Sequence, residues 1–138
     1  MTVYLDSSVI LRMLLRQPGG LREWKQIRRG VASALAEVEC LRTLDRLRII
    51  EGIPEAEIAT RRQTVYQIMA ALEVVELSRI VLSRAAQPLP TTLGTLDAIH
   101  LATALVWHEH SGEALVMATH DQSLAMAARS VGFAVIGC

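Results

Sequence analysis

Two aspartates occupy matching places in the sequence, each just after a short apolar run. Asp6 follows Val3-Tyr4-Leu5, and Asp121 follows the run over 114–118 with only Thr119-His120 between them. Short apolar runs of this kind are typical of strands buried on both faces of a parallel sheet. Because open α/β sheets bind ligands outside the carboxyl ends of their strands, the two aspartates are candidates for one shared site. Each could instead only cap the helix that follows it.

A third aspartate lies at the start of an apolar helix. The segment after Asp97 is apolar almost all the way round until Trp107, so the sequence predicts a buried helix over 96–108. A carboxylate on such a helix is costly unless a donor, a cation or a helix N-terminus compensates it. With Thr95 as the cap, the helix dipole would favour an acid in the first turn by about 0.3–1 kcal/mol, so both roles are open for Asp97.

A glutamate completes the set of candidate acids. Glu39 lies in the second turn of a predicted helix over 35–51, at the edge of its apolar face. The structural alternative is an i,i+3 ion pair with Arg42, worth about 0.2–0.5 kcal/mol. Glu37 flanks the other edge of the same face, and the residue pattern does not choose between the two glutamates.

Convergence of these four acids would have a chemical consequence. Carboxylates within a few ångströms of each other repel strongly, so some must take up protons or a divalent cation must lie among them. Ligands that are all oxygen suit Mg²⁺ or Mn²⁺ and not zinc. Such an ion can activate a water molecule and stabilise a phosphoryl oxygen, which is the chemistry of phosphodiester hydrolysis.

Length and composition limit the class of protein. The 138 residues predict a single domain, residues 1–138, and the 14 basic residues balance the 14 acidic ones. The formal net charge of zero gives no bulk attraction for nucleic acid, so a polyanion would need a local basic patch. Cys40 and Cys138 predict free thiols in a reducing compartment. The sequence shows no signal peptide and no membrane span, which predicts a cytoplasmic protein.

Segments with strand and helix patterns alternate along the chain. Predicted helices cover 9–15, 21–29, 35–51, 54–72, 79–86, 96–108 and 121–130, and predicted strands cover 3–5, 31–33, 73–77, 114–118 and 133–136. The predicted caps are Ser7 or Ser8, Ser78 and Thr95. The alternation predicts an α/β fold with three layers, α/β/α, around a central, mostly parallel sheet of about four to five strands.

Four segments, in chain order, resemble the successive motifs of the PIN-domain nucleases. They are Val3–Ser8, Ser33–Arg42, Thr95–Ala104 and Thr119–Asp121. More closely, the chain resembles the VapC toxins of bacterial toxin–antitoxin pairs, and the match covers nearly the whole chain. The segment Thr95–Ala104 is the most specific part of the resemblance.

The resemblance implies a function and partners. It implies a Mg²⁺-dependent endoribonuclease, with Mn²⁺ as a substitute ion, that hydrolyses structured RNA such as tRNA or rRNA through a metal-activated water. It also implies a homodimer that a cognate VapB-type antitoxin holds inactive by placing its tail in the active-site groove. The alternative is a weak or inactive PIN-fold module that acts only by binding protein or RNA. The presence of all four acids argues against that alternative.

The resemblance also assigns roles to single residues. The catalytic acids are Asp6, Glu39, Asp97 and Asp121, and all but Glu39 are expected to bind the metal. Glu39 is preferred to Glu37 because it keeps the family spacing. The expected supporting hydroxyls are those of Ser7 and Thr119, and the expected RNA-phosphate contacts are Arg42 and Arg46. Many relatives carry arginine where this chain has Gly94.

Two other classes of α/β protein fit the sequence less well. Phosphatases of the haloacid-dehalogenase type usually need a second aspartate two residues after the first, and Ser8 stands there. Receiver-like signalling domains need paired acids after the first strand, and Asp6 is single. Among the histidines, His100 is predicted to be a satisfied core residue. His108 and His110 are predicted to lie on the surface, and His120 has no assigned role.

Overall fold

A five-stranded sheet lies at the centre of the computed structural model, which describes residues 1–138 and confirms the predicted α/β/α layering. The strands are β1 (Thr2–Leu5), β2 (Arg29–Ser33), β3 (Glu73–Val75), β4 (Val116–Ala118) and β5 (Ala134–Ile136). The helices are α1 (Ser7–Leu14), α2 (Ala34–Glu51), α3 (Glu55–Ala71), α4 (Arg79–Ala85), α5 (Thr95–Ser111) and α6 (Gln122–Ser130). Not one of these helices is both long enough and apolar enough to cross a membrane.

The order of the strands reverses direction once, between β1 and β4, and this place is the switch point of the sheet. The sheet runs β3-β2-β1-β4-β5, and every neighbouring pair is parallel. The first three strands build the sheet outward from β1, and the chain then crosses to add β4 on the other side of β1. A crevice forms outside the carboxyl ends of the two strands where the order reverses. Asp6 and Thr119 are the residues that follow these two strands.

Alternate residues of β1 face the two helical layers. Val3 and Leu5 pack, together with Ala32 of β2, against α1, α2 and α3. Tyr4 points to the opposite face and packs, together with Met117 of β4, against α5 and α6. The period of two along a strand therefore aims Tyr4 at α5, while Asp6, the residue after the strand, lies at the crevice.

The predicted helix over 21–29 is wrong. The structure has only one short 3₁₀ turn there, Trp24–Gln26, and β2 already begins at Arg29. The Arg28 N–H donates to the carbonyl of Met1 at 2.9 Å, so this part of the chain pairs with the start of β1. Pairing with the central strand takes the residues that the local pattern assigned to a last helical turn, because tertiary context overrides helix propensity.

The start of α5 differs from the prediction by one residue. Gly94 occupies the N-cap position and Thr95 is the first helical residue, so Asp97 still lies in the first turn. Ser78 caps α4 as predicted, because its hydroxyl accepts a hydrogen bond from the Val81 N–H at 3.3 Å.

Gly30 of β2 offers a test of how closely the sheet packs against the end of α3. A Cβ atom on Gly30 would overlap the Leu72 side chain and would lie 3.4 Å from Cδ1 of Leu5. Overpacking typically costs about 1–3 kcal/mol, and a terminal methyl of leucine can move, so we expect Gly30→Ala to lower the free energy of unfolding by about 1 kcal/mol. Urea unfolding followed by circular dichroism measures this change.

Gly20→Ala is the matched control for this variant. A Cβ atom on Gly20 meets nothing within 4 Å, so its unfolding midpoint should stay at the wild-type value. Equal midpoints for the two variants would contradict the close packing at Gly30.

Candidate active site

The carboxylate of Asp6 is held by hydroxyl groups and not by a helix terminus. Asp6 occupies the N-cap position of α1, which the sequence predicted for Ser7 or Ser8, yet its side chain makes no cap hydrogen bond. Its Oδ2 accepts from the Ser8 hydroxyl at 2.7 Å and from the Thr119 hydroxyl at 2.8 Å. The residue is only 3% exposed. The capping alternative is therefore wrong for Asp6, whose carboxylate is buried at the end of the central strand.

The neighbouring strand brings Asp121 to the same place. The N–H of Asp6 donates to the carbonyl of Ala118, the last residue of β4, at 3.0 Å. The Thr119 hydroxyl, which donates to Asp6, accepts from the Asp121 N–H at 3.0 Å and so connects the two acids. Asp121 also caps α6, because its Oδ1 accepts from the Leu124 N–H at 2.8 Å. Capping uses one carboxylate oxygen of Asp121 and leaves the other for the site.

Glu39 reaches the site from α2 through a histidine. Its Oε1 lies 2.5 Å from Nε2 of His100 on α5. The predicted alternative, an ion pair with Arg42, is wrong, because Arg42 pairs with Asp45 at 3.3 Å. The negative charge of Glu39 also acts on Asp97, whose pKa it helps to raise. The structure thus brings Glu39 into the cluster.

His100 lies at the centre of the site, and the sequence did not reveal its contacts there. It is fully buried, with Nδ1 2.7 Å from the Tyr4 hydroxyl and Nε2 3.5 Å from Oδ1 of Asp6. The prediction of a buried and satisfied histidine is confirmed, but its partners include two of the candidate catalytic acids. The available signal was its position one helical turn after Asp97, on the face that a buried helix turns toward the sheet.

Asp97 lies within the electrostatic influence of the other three acids. Burial, followed by the charges of Asp121 and Asp6, raises the pKa of Asp97 from 3.8 to about 6. Glu39 adds to this rise and His100 opposes it. The position of Asp97 in the first turn of α5, where the helix dipole would lower its pKa, does not compensate these effects. Asp97 is therefore a helix-start acid and also a member of the cluster.

The negative charges of the acids also change the pKa values of His100 and Tyr4. Burial lowers the pKa of His100, but the hydrogen bond to Glu39 and the charge of Asp6 outweigh burial and leave that pKa raised. Burial, and then the charge of Asp6, raise the pKa of Tyr4 well above its usual value, so the phenol stays protonated. The protein thus compensates the cluster with one imidazole and several hydroxyl groups.

The supporting hydroxyls differ in part from the prediction. Thr119 lies beside Asp6 as expected, but the second hydroxyl is that of Ser8 and not that of Ser7. The Ser8 hydroxyl also accepts from the His120 N–H at 3.0 Å, which ties α1 to the loop after β4. Ser7 is buried in the first turn of α1.

The other candidate residues lie away from the acids or on the surface. Arg42 has a side chain that is 75% exposed and pairs with Asp45, and Arg46 is also exposed on α2. His108 and His110 lie near the end of α5 and form hydrogen bonds with backbone carbonyls through Nδ1, at 2.6 and 2.9 Å. His110 is exposed, as predicted, whereas His108 is half-buried.

The chemistry of the donors fits a hard divalent cation. No three acidic, histidine or cysteine side chains are already arranged to hold one metal ion. Mg²⁺, however, usually keeps several waters and is bound through only one or two carboxylates, so a complete protein cage is not needed. Burial and, after it, the nearby negative charges raise the pKa of Asp97, and a bound cation would offset both effects. Asp6, Asp97 and Asp121 stay the predicted metal ligands.

Comparison with known proteins shows the family to which this chain belongs. The family model described as the PIN domain matches residues 3–129. This chain belongs to the PIN-domain family. Ribonuclease VapC46 of Mycobacterium tuberculosis is 36% identical to it over 137 residues, which cover 97% of this chain and 95% of the relative. Ribonuclease VapC47 of the same species is 30% identical over 138 residues, 95% of this chain and 93% of the relative. Within the PIN-domain family, the chain therefore groups with the VapC proteins.

Solved structures share the PIN fold at lower sequence identity. A toxin–antitoxin complex from Klebsiella pneumoniae contains a chain that aligns with a TM-score of 0.66 and 16% identity, over 99% of this chain and 98% of that one. FitAB bound to an IR36 DNA fragment aligns with a TM-score of 0.70 and 19% identity, over 96% of this chain and 92% of that one. At these identities the alignments show the fold of the PIN domain alone.

The raised pKa of Asp97 predicts how the stability of the metal-free PIN domain depends on pH. A folded-state pKa above the unfolded value means that the folded protein binds more protons between pH 3.8 and about 6, so its stability falls as pH rises through that window. Asp97→Asn should remove this fall and leave the metal-free protein more stable than the wild type above pH 6. Thermal unfolding in the presence of a chelator, across the window, measures the effect.

Glu37→Gln is the control, because it removes an acid from the same helix as Glu39 without removing a member of the cluster. Its stability should fall between pH 4 and 6 as in the wild type. A wild-type protein whose stability does not fall across the window would show that the acids do not converge.

Proposed function

We propose that this chain is a metal-dependent endoribonuclease and the toxin of a VapBC-type toxin–antitoxin pair. The observation that carries the proposal is the convergence of Asp6, Glu39, Asp97 and Asp121 at the switch point of the sheet. The names of the VapC relatives support ribonuclease activity. The neutral chain has no general attraction for RNA, so its substrate must be recognised at a local site.

The residues of the cluster divide into two proposed roles. Asp6, Asp97 and Asp121 hold Mg²⁺ or Mn²⁺ through carboxylate oxygens and bound waters. The ion, when bound, supplies a water of lowered pKa and charge stabilisation at the phosphoryl oxygen. Glu39 faces the same space and holds the attacking water or takes its proton. The hydroxyls of Ser8 and Thr119 fix one oxygen of Asp6, so that its other oxygen keeps one direction.

RNA phosphates need cations near this cluster. Arg42 and Arg46 follow Glu39 on α2 by about one and two helical turns, and both are exposed. We assign them the proposed role of holding the RNA backbone, because phosphate contacts position a nucleic acid without reading its sequence. Structured RNA such as tRNA or rRNA is the proposed substrate. Because tRNA and rRNA are found in the cytoplasm, we also propose a cytoplasmic location.

A groove beside the acids suits the proposed antitoxin. A cavity of about 610 Å³ begins at Ser8 and extends between α1, α2 and α3. Its walls carry both signs of charge, including Arg12, Arg61 and Glu57. We propose that a segment of the antitoxin enters this groove and blocks the approach of RNA to Asp6, and that the toxin itself is a homodimer.

Loss of RNA cleavage in variants of the acids tests the proposal. With Mg²⁺ or Mn²⁺ present, the wild type should cut tRNA or rRNA, and a chelator should stop the reaction. Asp6→Asn and Asp97→Asn should each lose more than the factor of about 10–100 that is typical for partners outside the metal's ligand shell. The cleavage products are measured on a denaturing gel, with unfolding curves to verify that each variant is folded.

Glu37→Gln is again the matched control and should cleave at the wild-type rate. Cleavage that persists in Asp97→Asn, or in the presence of a chelator, would contradict the metal-dependent mechanism. A folded wild type that binds RNA or the antitoxin but does not cleave any RNA would support the binding module in place of the enzyme.

A further inference from the structure

We propose that Tyr4 and His100 form a positioning pair that holds Glu39 in the active site. The inference rests on the proposed function, because it gives Glu39 a fixed place beside the metal-binding acids. Neither residue is expected to touch RNA or the metal. Both residues act through Glu39, which His100 contacts directly and Tyr4 contacts through His100.

The imidazole ring of His100 is fixed at both of its nitrogen atoms. The Tyr4 hydroxyl lies 2.7 Å from Nδ1, and Oε1 of Glu39 lies 2.5 Å from Nε2. Tyr4 and His100 are both completely buried, so the imidazole ring itself is shielded from water. A ring that is bonded at both ends cannot rotate without losing one partner, and its Nε2–H must therefore point at Glu39.

The anchor of the ring belongs to the same strand as the first catalytic acid. Tyr4 lies two residues before Asp6 on β1, and β1 is the central strand of the sheet. The central strand therefore fixes Asp6 directly and Glu39 through Tyr4 and His100. The relative positions of the two acids are set by one strand, although Glu39 itself comes from α2.

Glu39 needs such a partner more than Asp6 does. Its side chain is 22% exposed, whereas that of Asp6 is 4% exposed. A long glutamate side chain at a partly open site can choose among several rotamers, and fixing it has an entropic cost. The hydrogen bond from His100 engages only Oε1, so Oε2 stays free to face the water or the ion.

Packing alone does not explain a histidine at this place. An apolar side chain would fill the interior between β1 and α5 without the cost of burying a polar ring. His100 instead uses both nitrogen atoms, and Nε2 also faces Oδ1 of Asp6 at 3.5 Å. Partners outside the ligand shell commonly fix the orientation of groups at metal sites in this way.

Two amide variants of His100 separate positioning from packing. The amide nitrogen of glutamine is as many bonds from Cβ as Nε2 of histidine, so His100→Gln can still donate to Glu39. Asparagine places its amide nitrogen at the position of Nδ1, so His100→Asn keeps a polar group near Tyr4 but does not reach Glu39. Both variants are neutral and polar, and they differ mainly in which contact they keep. Tyr4→Phe removes only the hydroxyl that anchors the ring.

The measurements are the steady-state kinetics of RNA cleavage and calorimetric titration of Mn²⁺ into the protein without RNA. We expect His100→Asn to lower kcat by about 10- to 100-fold, with KM for RNA unchanged. It should also weaken Mn²⁺ binding relative to His100→Gln, because a released Glu39 no longer holds its negative charge beside the three metal-binding aspartates. His100→Gln should keep a higher kcat than His100→Asn, because it still reaches Glu39 although it loses the contact with Tyr4. Tyr4→Phe should lower kcat by about 10-fold, at the low end of the same range.

Equal kcat and equal Mn²⁺ affinity in His100→Gln and His100→Asn would overturn the inference and leave His100 as a core residue. If His100→Asn does not fold, Tyr4→Phe decides, and a wild-type kcat in that variant would overturn the inference. A wild type that neither binds Mn²⁺ nor cleaves RNA would overturn the proposed function and this inference together. If the wild type binds Mn²⁺ and cleaves RNA, but His100→Gln and His100→Asn have the same kcat and the same Mn²⁺ affinity, the inference alone is overturned.

Discussion

Repulsion among four carboxylates is the constraint on which the structure around the site depends. Asp6, Glu39, Asp97 and Asp121 come from four separate segments. Burial, and then the charges of the other three acids, raise the pKa of Asp97 to about 6. Burying such a cluster is costly unless each charge finds a donor, a proton or a cation. The fold must therefore hold these acids together against their mutual repulsion.

The parallel sheet holds two of these acids close together. Two neighbouring strands, β1 and β4, end side by side and deliver Asp6 and the Thr119–Asp121 segment to one crevice. The helical layers supply the other two acids, Asp97 from the first turn of α5 and Glu39 from the second turn of α2. Hydroxyl groups and a buried imidazole then compensate part of the charge. The hard divalent cation proposed for the site would compensate the remainder.

The sequence predicted the layers and most element positions, because apolar periodicity reports burial directly. It made Asp6, Asp97 and Asp121 candidates through their places at the ends of strands and the start of a helix, whereas the choice of Glu39 over Glu37 rested on the resemblance to the PIN-domain nucleases. It failed at 21–29, where pairing with β1 removed a helix that the local pattern favoured. It also assigned the hydroxyl beside Asp6 to Ser7, because the direction of a side chain at a strand-to-helix turn is set by backbone geometry and not by residue type. The contact between His100 and Glu39 joins residues 61 positions apart, and such a contact leaves no local pattern to find.

The most direct test of the central claim, that these acids share a divalent cation, is anomalous diffraction from crystals of the protein soaked in Mn²⁺. The acidic cluster predicts an anomalous peak at a coordination distance of about 2.0–2.6 Å from carboxylate oxygens of Asp6 and Asp97, with waters completing the shell. The same crystals would show whether Glu39 still contacts His100 when the ion is bound. Crystals that contain Mn²⁺ only at other residues, or at no ordered site, would contradict the claim.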